Sequence, residues 1–264
     1  MRIRAALVLP LLGALLLTGC TATTASDSLD PDGENAGPGT EQPGLAGEVT
    51  VFAAASLRTA FDEIAESFEQ QHPNVEVNPI VYDGSSTLVT QLQEGARADV
   101  LATADERSMQ LAIESDLASD PQLFATNTLV VAVPAGNPGG VDSLDDLADV
   151  VTVLCAPEVP CGKASATLLD DAGVAVTPAS LEQNVTAVLQ KVAAGEADAG
   201  LVYATDIIGD DAVRGFAPDG ADAVVNRYPI VALDGASEAG VAFAEFVRGE
   251  TGQQILSDLG FGAP

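Results

Sequence analysis

The stretch Val49–Phe61, VTVFAAASLRTAF, changes its period in the middle. Val49 to Ala55 is a short apolar run of the kind a buried strand shows. Beyond it, Leu57, Ala60, Phe61, Ile64, Ala65 and Phe68 fall on one stripe at helical spacing. Ser56 stands at the junction, where a strand feeds directly into a helix. His72-Pro73 closes that helix, because the residue before a proline avoids the helical region.

The same alternation continues along the chain. Val75–Val81 reads as a strand, and Tyr82–Thr87 as a turn leading into a helix near Leu88–Glu94. Asp99–Thr103 is a short strand and Glu106–Ser115 a helix. Thr128–Pro134 opens a new stretch of sheet, and Val150–Leu154 is a strand followed by a helix over Lys163–Asp171. A helix near Val185–Ala194 precedes the strand Ala199–Tyr203. Val224–Ala232 reads as a return strand, with terminal helices over Ala236–Arg248 and Gln253–Asp258. Strands alternating with helices imply an α/β architecture with right-handed crossovers.

Ahead of this body, Arg2 and Arg4 precede an apolar stretch from Ala5 to Leu17. It is shorter than the roughly 20 residues of a membrane-spanning helix. A basic start and a short apolar core are the pattern of a secretory signal, here residues 1–19. Leu17-Thr-Gly-Cys20 resembles the lipobox of bacterial lipoproteins, which implies cleavage before Cys20 and lipid on its thiol. An ordinary signal cut elsewhere would leave Cys20 incidental. Residues 20–46 are rich in Thr, Ser, Asp, Gly and Pro and bury too little to offset ordering, so they read as a tether. The folded part, Gly47 to Pro264, is long for one compact core and natural for two lobes.

The formal charge of −29 argues against nucleic acid or an anionic membrane surface as a partner, since both call for basic patches. With no tryptophan and few other aromatics, the core must be mostly aliphatic. Cys155 and Cys161 remain once Cys20 is set aside. In an exported protein they suit a disulfide; a metal or redox pair is the other reading, though neither Cys-x-x-Cys spacing nor a histidine cluster supports it.

Four junctions before helices stand out: Ser56, Ser85, Cys161-Gly162 and Asn184-Val185. Each helix start carries free backbone N–H groups and the positive end of a dipole. Several starts meeting at one point make an anion site without a cationic side chain. Taken singly, each serine is a favoured N-cap, so the case rests on the set. An enzyme is the main competing class, with Ser56 as nucleophile of a hydrolase. Its general base would have to be His72, the single histidine, about 24 Å away along the same helix at 1.5 Å per residue. Gly-x-Ser-x-Gly and calcium-loop spacings are missing as well.

From Gly47 to Phe261 the chain resembles the extracytoplasmic molybdate-binding proteins of ABC uptake systems. The matching blocks are Val51-Phe-Ala-Ala-Ala-Ser-Leu57, Gly84-Ser-Ser-Thr-Leu88, Ala98-Asp-Val-Leu-Ala-Thr-Ala-Asp105, Val159-Pro-Cys-Gly162, Leu201-Val-Tyr-Ala-Thr-Asp206 and Tyr228-Pro229. The resemblance implies a two-lobed, type II periplasmic-binding-protein-like fold that holds a tetrahedral dianion in the inter-lobe cleft. One lobe would be 47–127 plus 230–264, the other 128–229, with the hinge near Thr128 and Tyr228-Pro229.

The resemblance further implies that Ser56 and Ser85 contribute hydroxyl and backbone N–H donors. Cys161 and Val185 would contribute backbone N–H groups, and Tyr203 its phenol. These residues would hold molybdate or tungstate by hydrogen bonds rather than by direct metal coordination. Where the family usually has Val-Pro-Ala-Gly, this chain has Cys161, which is expected to pair with Cys155 and stiffen the turn. Lys163 is a nearby cation or a plain exposed residue of the first helical turn. No cofactor and no catalysis are implied. The implied partner is a membrane permease, and the protein would be a monomer held at the outer face of the cytoplasmic membrane by lipid on Cys20. Sulfate, phosphate and a small organic anion are the rival ligands, although a carboxylate usually calls for an arginine fork that the matched blocks lack.

Overall fold

The computed structural model describes residues 44–264. The expected signal segment 1–19, Cys20 and the tether up to residue 43 lie outside the described residues. Among the described residues the first strand is β1 (Ala46–Val49), starting one residue ahead of the expected boundary.

The opening stretch is two strands rather than one. β1 and β2 (Val51–Ala54) are parted at Thr50 and join different sheets. Thr50 is pinned there by Asp99: its N–H donates to Asp99 Oδ2 at 2.8 Å, and its carbonyl accepts the Asp99 N–H at 2.8 Å. After a 3-10 turn at Ala55–Leu57 comes α1 (Arg58–Gln71), whose buried Ala60, Phe61, Ile64 and Phe68 are the stripe read from the sequence. The strand expected over Val75–Val81 is likewise two, β3 (Asn74–Val77) and β4 (Val81–Asp83). Pro79, with no N–H to give to a ladder, lies in the gap. β3 pairs in parallel with β1, and β4 with β2.

The chain continues through α2 (Ser85–Gln93), β5 (Val100–Ala102) and α3 (Glu106–Glu114) to β6 (Gln122–Pro134). Then follow β7 (Thr152–Cys155), α4 (Pro160–Ala172), β8 (Ser180–Glu182), α5 (Val185–Ala193) and β9 (Ala199–Tyr203). The last elements are β10 (Val213–Phe216), β11 (Val225–Ala232), α6 (Glu238–Arg248) and α7 (Glu250–Asp258). The main sheet runs β4-β2-β5-β11-β6-β9-β7-β8, with β10 also on β6.

β6 and β11 join the halves of this sheet. β6 pairs with β11 up to Thr128 and with β9 from Leu129 onward, so it changes neighbour between these two residues. β11 pairs antiparallel to β6 and then, from Ile230, to β5. Its register shifts between Tyr228 and Pro229, where the proline withholds a donor. The short β8 and β10 went unread in the sequence.

Period-two alternation in β2, β5 and β11 covers the first half-sheet on both faces. Val51, Ala53, Val100, Ala102 and Ile230 enter one apolar cluster with Phe61, Phe68, Phe124, Tyr228 and Phe243. Their neighbours Phe52, Leu101 and Val231 enter another with Leu88, Met109 and Leu233. A separate cluster gathers Leu129, Val131, Val153, Leu168, Val188 and Leu201, to which the first half adds Ala55. With no tryptophan to fill space, the edge-to-face contacts of Phe68 with Phe243 and Phe246, both at 5.3 Å between ring centres, tie α1 to α6. Phe243 is fully buried, so F243A should lower the unfolding free energy by about 3–5 kcal/mol, a loss that urea denaturation will measure.

Candidate ligand-binding site

A small cavity opens where β2 and β4 end and α2, α4 and α5 begin. Ser56, Ser85, Cys161, Val185 and Tyr203 all line it, together with Asp83, Gly84, Asn184 and others. The space open to the centre of a water molecule is about 10 Å³, roughly what one water occupies. The helix starts approach closely. A Cβ at Gly84 would overlap the Gln183 carbonyl oxygen and press on Val159 Cγ1 at 3.0 Å, so only glycine lets α2 begin this near α4 and α5.

The donors arise from local rules. Ser85 and Val185 are the first residues of α2 and α5, and Cys161 the second of α4. N–H groups in a first turn have no carbonyl four residues back to bond to. Pro160 occupies the first position of α4 and has no N–H, so Cys161 supplies that helix's first donor. Asn184 caps α5, its Oδ1 accepting the Ala187 N–H at 3.0 Å. Cys155, ending β7, is bonded to Cys161 with sulfurs 2.04 Å apart. Gly162 permits this turn, since a Cβ there would overlap the Ala156 carbonyl oxygen.

The serines do not act as the helix caps the sequence suggested. Ser56 lies inside the 3-10 turn ahead of α1, and neither start carries a side-chain cap. Its hydroxyl instead lies 3.0 Å from the Tyr228 hydroxyl, a partner 172 positions away. Ser85 follows the cap position, held by Gly84, and its Oγ accepts the Ala104 N–H at 2.9 Å. Tyr203 ends β9, fully buried, with its phenol oxygen accepting from Asn226 Nδ2 at 3.0 Å.

Asp83 is the member of the wall that sequence reasoning missed, and it departs from an all-donor lining. Its Oδ1 accepts the Gly84 N–H at 2.7 Å and Asn184 Nδ2 at 3.0 Å, tying the end of β4 to the start of α5. Asp before Gly announces a turn, but nothing in the sequence announces that Asn184 meets it. Lys163 is exposed. The Arg58 guanidinium stands over the Tyr82 ring at 4.2 Å. His72 packs on Phe68 at the far end of α1 from Ser56.

Burial pushes the Tyr203 and Tyr228 phenols well above their ordinary range, so both remain proton-bearing donors. Half-buried Asp206, beside Tyr203, is pushed up to about 7 by desolvation, against the Tyr203 N–H that donates to its Oδ2 at 2.8 Å.

Two sheet halves joined by crossing strands, with a donor-lined cavity between helix starts, define a solute-binding protein. Residues 49–262 match the family model for bacterial extracellular solute-binding proteins, and the chain belongs to that family. It is 40% identical to the molybdate-binding protein ModA of Mycobacterium tuberculosis (strain H37Rv), over 96% of this chain and 97% of that protein. With ModA of Escherichia coli K12 the identity is 30%, over 81% of this chain and 89% of that one. Among solved structures, the periplasmic molybdate-binding protein of Azotobacter vinelandii shares the fold at a TM-score of 0.68 and 20% identity, covering 82% of this chain and 99% of that one. The sulfate-binding protein SubI of M. tuberculosis shares it at 0.69 and 16%, covering 81% and 86%. Among the described residues no helix is long and apolar enough to cross a membrane.

Asp206 gives a pH test. Its folded pKa, about 7, lies above the ordinary 3.8, so between those values the folded state holds more proton than the unfolded one. That linkage makes its contribution to stability fall as pH rises from about 4 to 7 and stay level above. In urea unfolding, D206N should gain on the parent across that window and keep a constant difference from it at higher pH; parallel pH profiles would contradict the assignment.

Proposed function

We propose that this chain binds molybdate, and tungstate alike, outside the cytoplasmic membrane and delivers it to an ABC permease. The observation that carries this reading is the meeting of Ser56, Ser85, Cys161, Val185 and Tyr203 around one cavity. The 40% identity to the tuberculosis ModA supports the choice of ligand. In this reading residues 47–127 plus 230–264 form one lobe and 128–229 the other. The oxyanion is gripped between them by the serine hydroxyls, the phenol and the first-turn N–H groups, and closing of the lobes presents the loaded receptor to the permease. The protein is a monomer tethered by lipid on Cys20, with no chemical step: Ser56 has no histidine within reach to activate it.

The donor set fits the ligand chemically. Molybdate at neutral pH is a proton-free dianion whose oxygens only accept hydrogen bonds. Hydrogen phosphate brings a proton that needs an acceptor, and leaving it unpaired costs about 1–3 kcal/mol, ten- to hundredfold in affinity. Sulfate carries no proton, so its smaller size is the ground for rejecting it. Tungstate nearly matches molybdate in both respects. Hydrogen phosphate is the second reading, favoured by the Asp83 carboxylate in the wall, which offers an acceptor.

Calorimetry of the purified chain with each oxyanion separates these readings. Molybdate and tungstate should bind with similar affinity, and sulfate and phosphate at least about tenfold more weakly. Phosphate binding tightest would replace the proposal with the second reading. Because the net charge of −29 repels a dianion at long range, added salt should speed molybdate association at low ionic strength.

A further inference from the structure

Asn226 lies in β11 opposite Asn127 of β6, buried, and its Nδ2 donates twice. One bond goes to the Ala104 carbonyl oxygen at 2.9 Å, the other to the Tyr203 hydroxyl at 3.0 Å. A carbonyl oxygen can only accept, so the bond to Ala104 fixes which amide atom is nitrogen. The Tyr203 oxygen therefore receives a proton from Asn226, and its own proton must point elsewhere. Tyr203 lines the cavity. Ala104, whose carbonyl accepts from Asn226, repeats the device with its N–H, which donates to Ser85 Oγ at 2.9 Å and leaves the Ser85 proton for the cavity too. Two positions along β11 and on the same face, Tyr228 meets Ser56.

We propose that Asn226 is a specificity-determining positioning residue. It occupies the acceptor lone pair of the Tyr203 phenol and so presents that phenol to the ligand as a donor, selecting oxyanions that carry no proton. The inference rests on the oxyanion-binding function proposed above. It assigns discrimination to a residue that touches the phenol rather than the ligand.

A double-mutant cycle on the full chain, read by calorimetry with sodium molybdate, tests it. N226L should weaken molybdate binding about ten- to hundredfold when Tyr203 is present, the effect of a misdirected hydrogen bond. In a Y203F background, with no phenol to orient, the same change should cost less than about threefold. Equal losses in both backgrounds would show that Asn226 supports only the fold, and would overturn the proposal. Should N226L fail to fold, N226D supplies the second reading. Aspartate offers the phenol an acceptor, turning its proton away from the cavity and its lone pair inward. The molybdate-to-phosphate affinity ratio should then fall by about tenfold or more. A ratio unchanged while both affinities drop would mark a simple charge effect and reject the role. If the parent protein itself binds no molybdate, the proposed function falls and this inference with it; if the parent binds and the cycle is additive, only Asn226 loses its role.

Discussion

A helix cannot satisfy its own first N–H groups, and three helices of this chain begin at one small cavity. α2, α4 and α5 each begin beside it, from strands β4, β7 and β8 or the short turns after them. What permits the approach is backbone without side chains: Gly84 against the Gln183 carbonyl, and Gly162 against the Ala156 carbonyl. The packing of helix on sheet thus sets the distance between donors, and the disulfide between Cys155 and Cys161 fixes the start of α4 to the end of β7. The two crossing strands supply the remaining order, because β11 holds Tyr203 through Asn226 and faces Ser56 with Tyr228.

An acidic protein as an anion receptor is a contradiction only if charge acts at all distances alike. Carboxylates more than about 8 Å away are screened at physiological salt, while dipoles lining a small cavity are not. Nearer by, the Asp83 carboxylate in the wall has its Oδ1 engaged by the Gly84 N–H and Asn184 Nδ2, and both buried phenols keep their protons as donors. Neutral donors also give selectivity that a cation would not, since an ammonium or guanidinium attracts any anion, protonated or bare.

Much of the framework was legible in the sequence because it follows local rules. The stripe from Leu57 to Phe68, the proline stop at Pro73 and the Pro-Cys-Gly start of α4 each announce themselves within a few residues. Five of the lining residues, Ser56, Ser85, Cys161, Val185 and Tyr203, were legible through the family resemblance and not through spacing alone. What stayed hidden depends on partners distant in the chain. Thr50 splits one apolar run into two strands because Asp99 lies beside it, and Ser56 forgoes capping because Tyr228 reaches it from 172 positions away. Asn226 and Asp83 are unremarkable polar residues in the sequence; their partners, Tyr203, Ala104 and Asn184, become neighbours only when the sheet halves come together.

That last pair bears on how binding and closure are linked. Asn184 uses both ends of one amide: its oxygen caps α5, and its nitrogen bonds Asp83 at the end of β4. Val185, which lines the cavity, is the next residue, and Ser85 follows Asp83 by two. The bond that draws the two segments together therefore has a lining residue close by on each side of it. Separating the segments would break the Asp83–Asn184 bond, move the start of α5 away from Gly84 and take the Val185 donor out of range of Ser85. A ligand that needs all the donors at once binds only the arrangement in which that bond exists. In the proposed function, binding energy and this contact would be coupled through that shared geometry, with no separate trigger required.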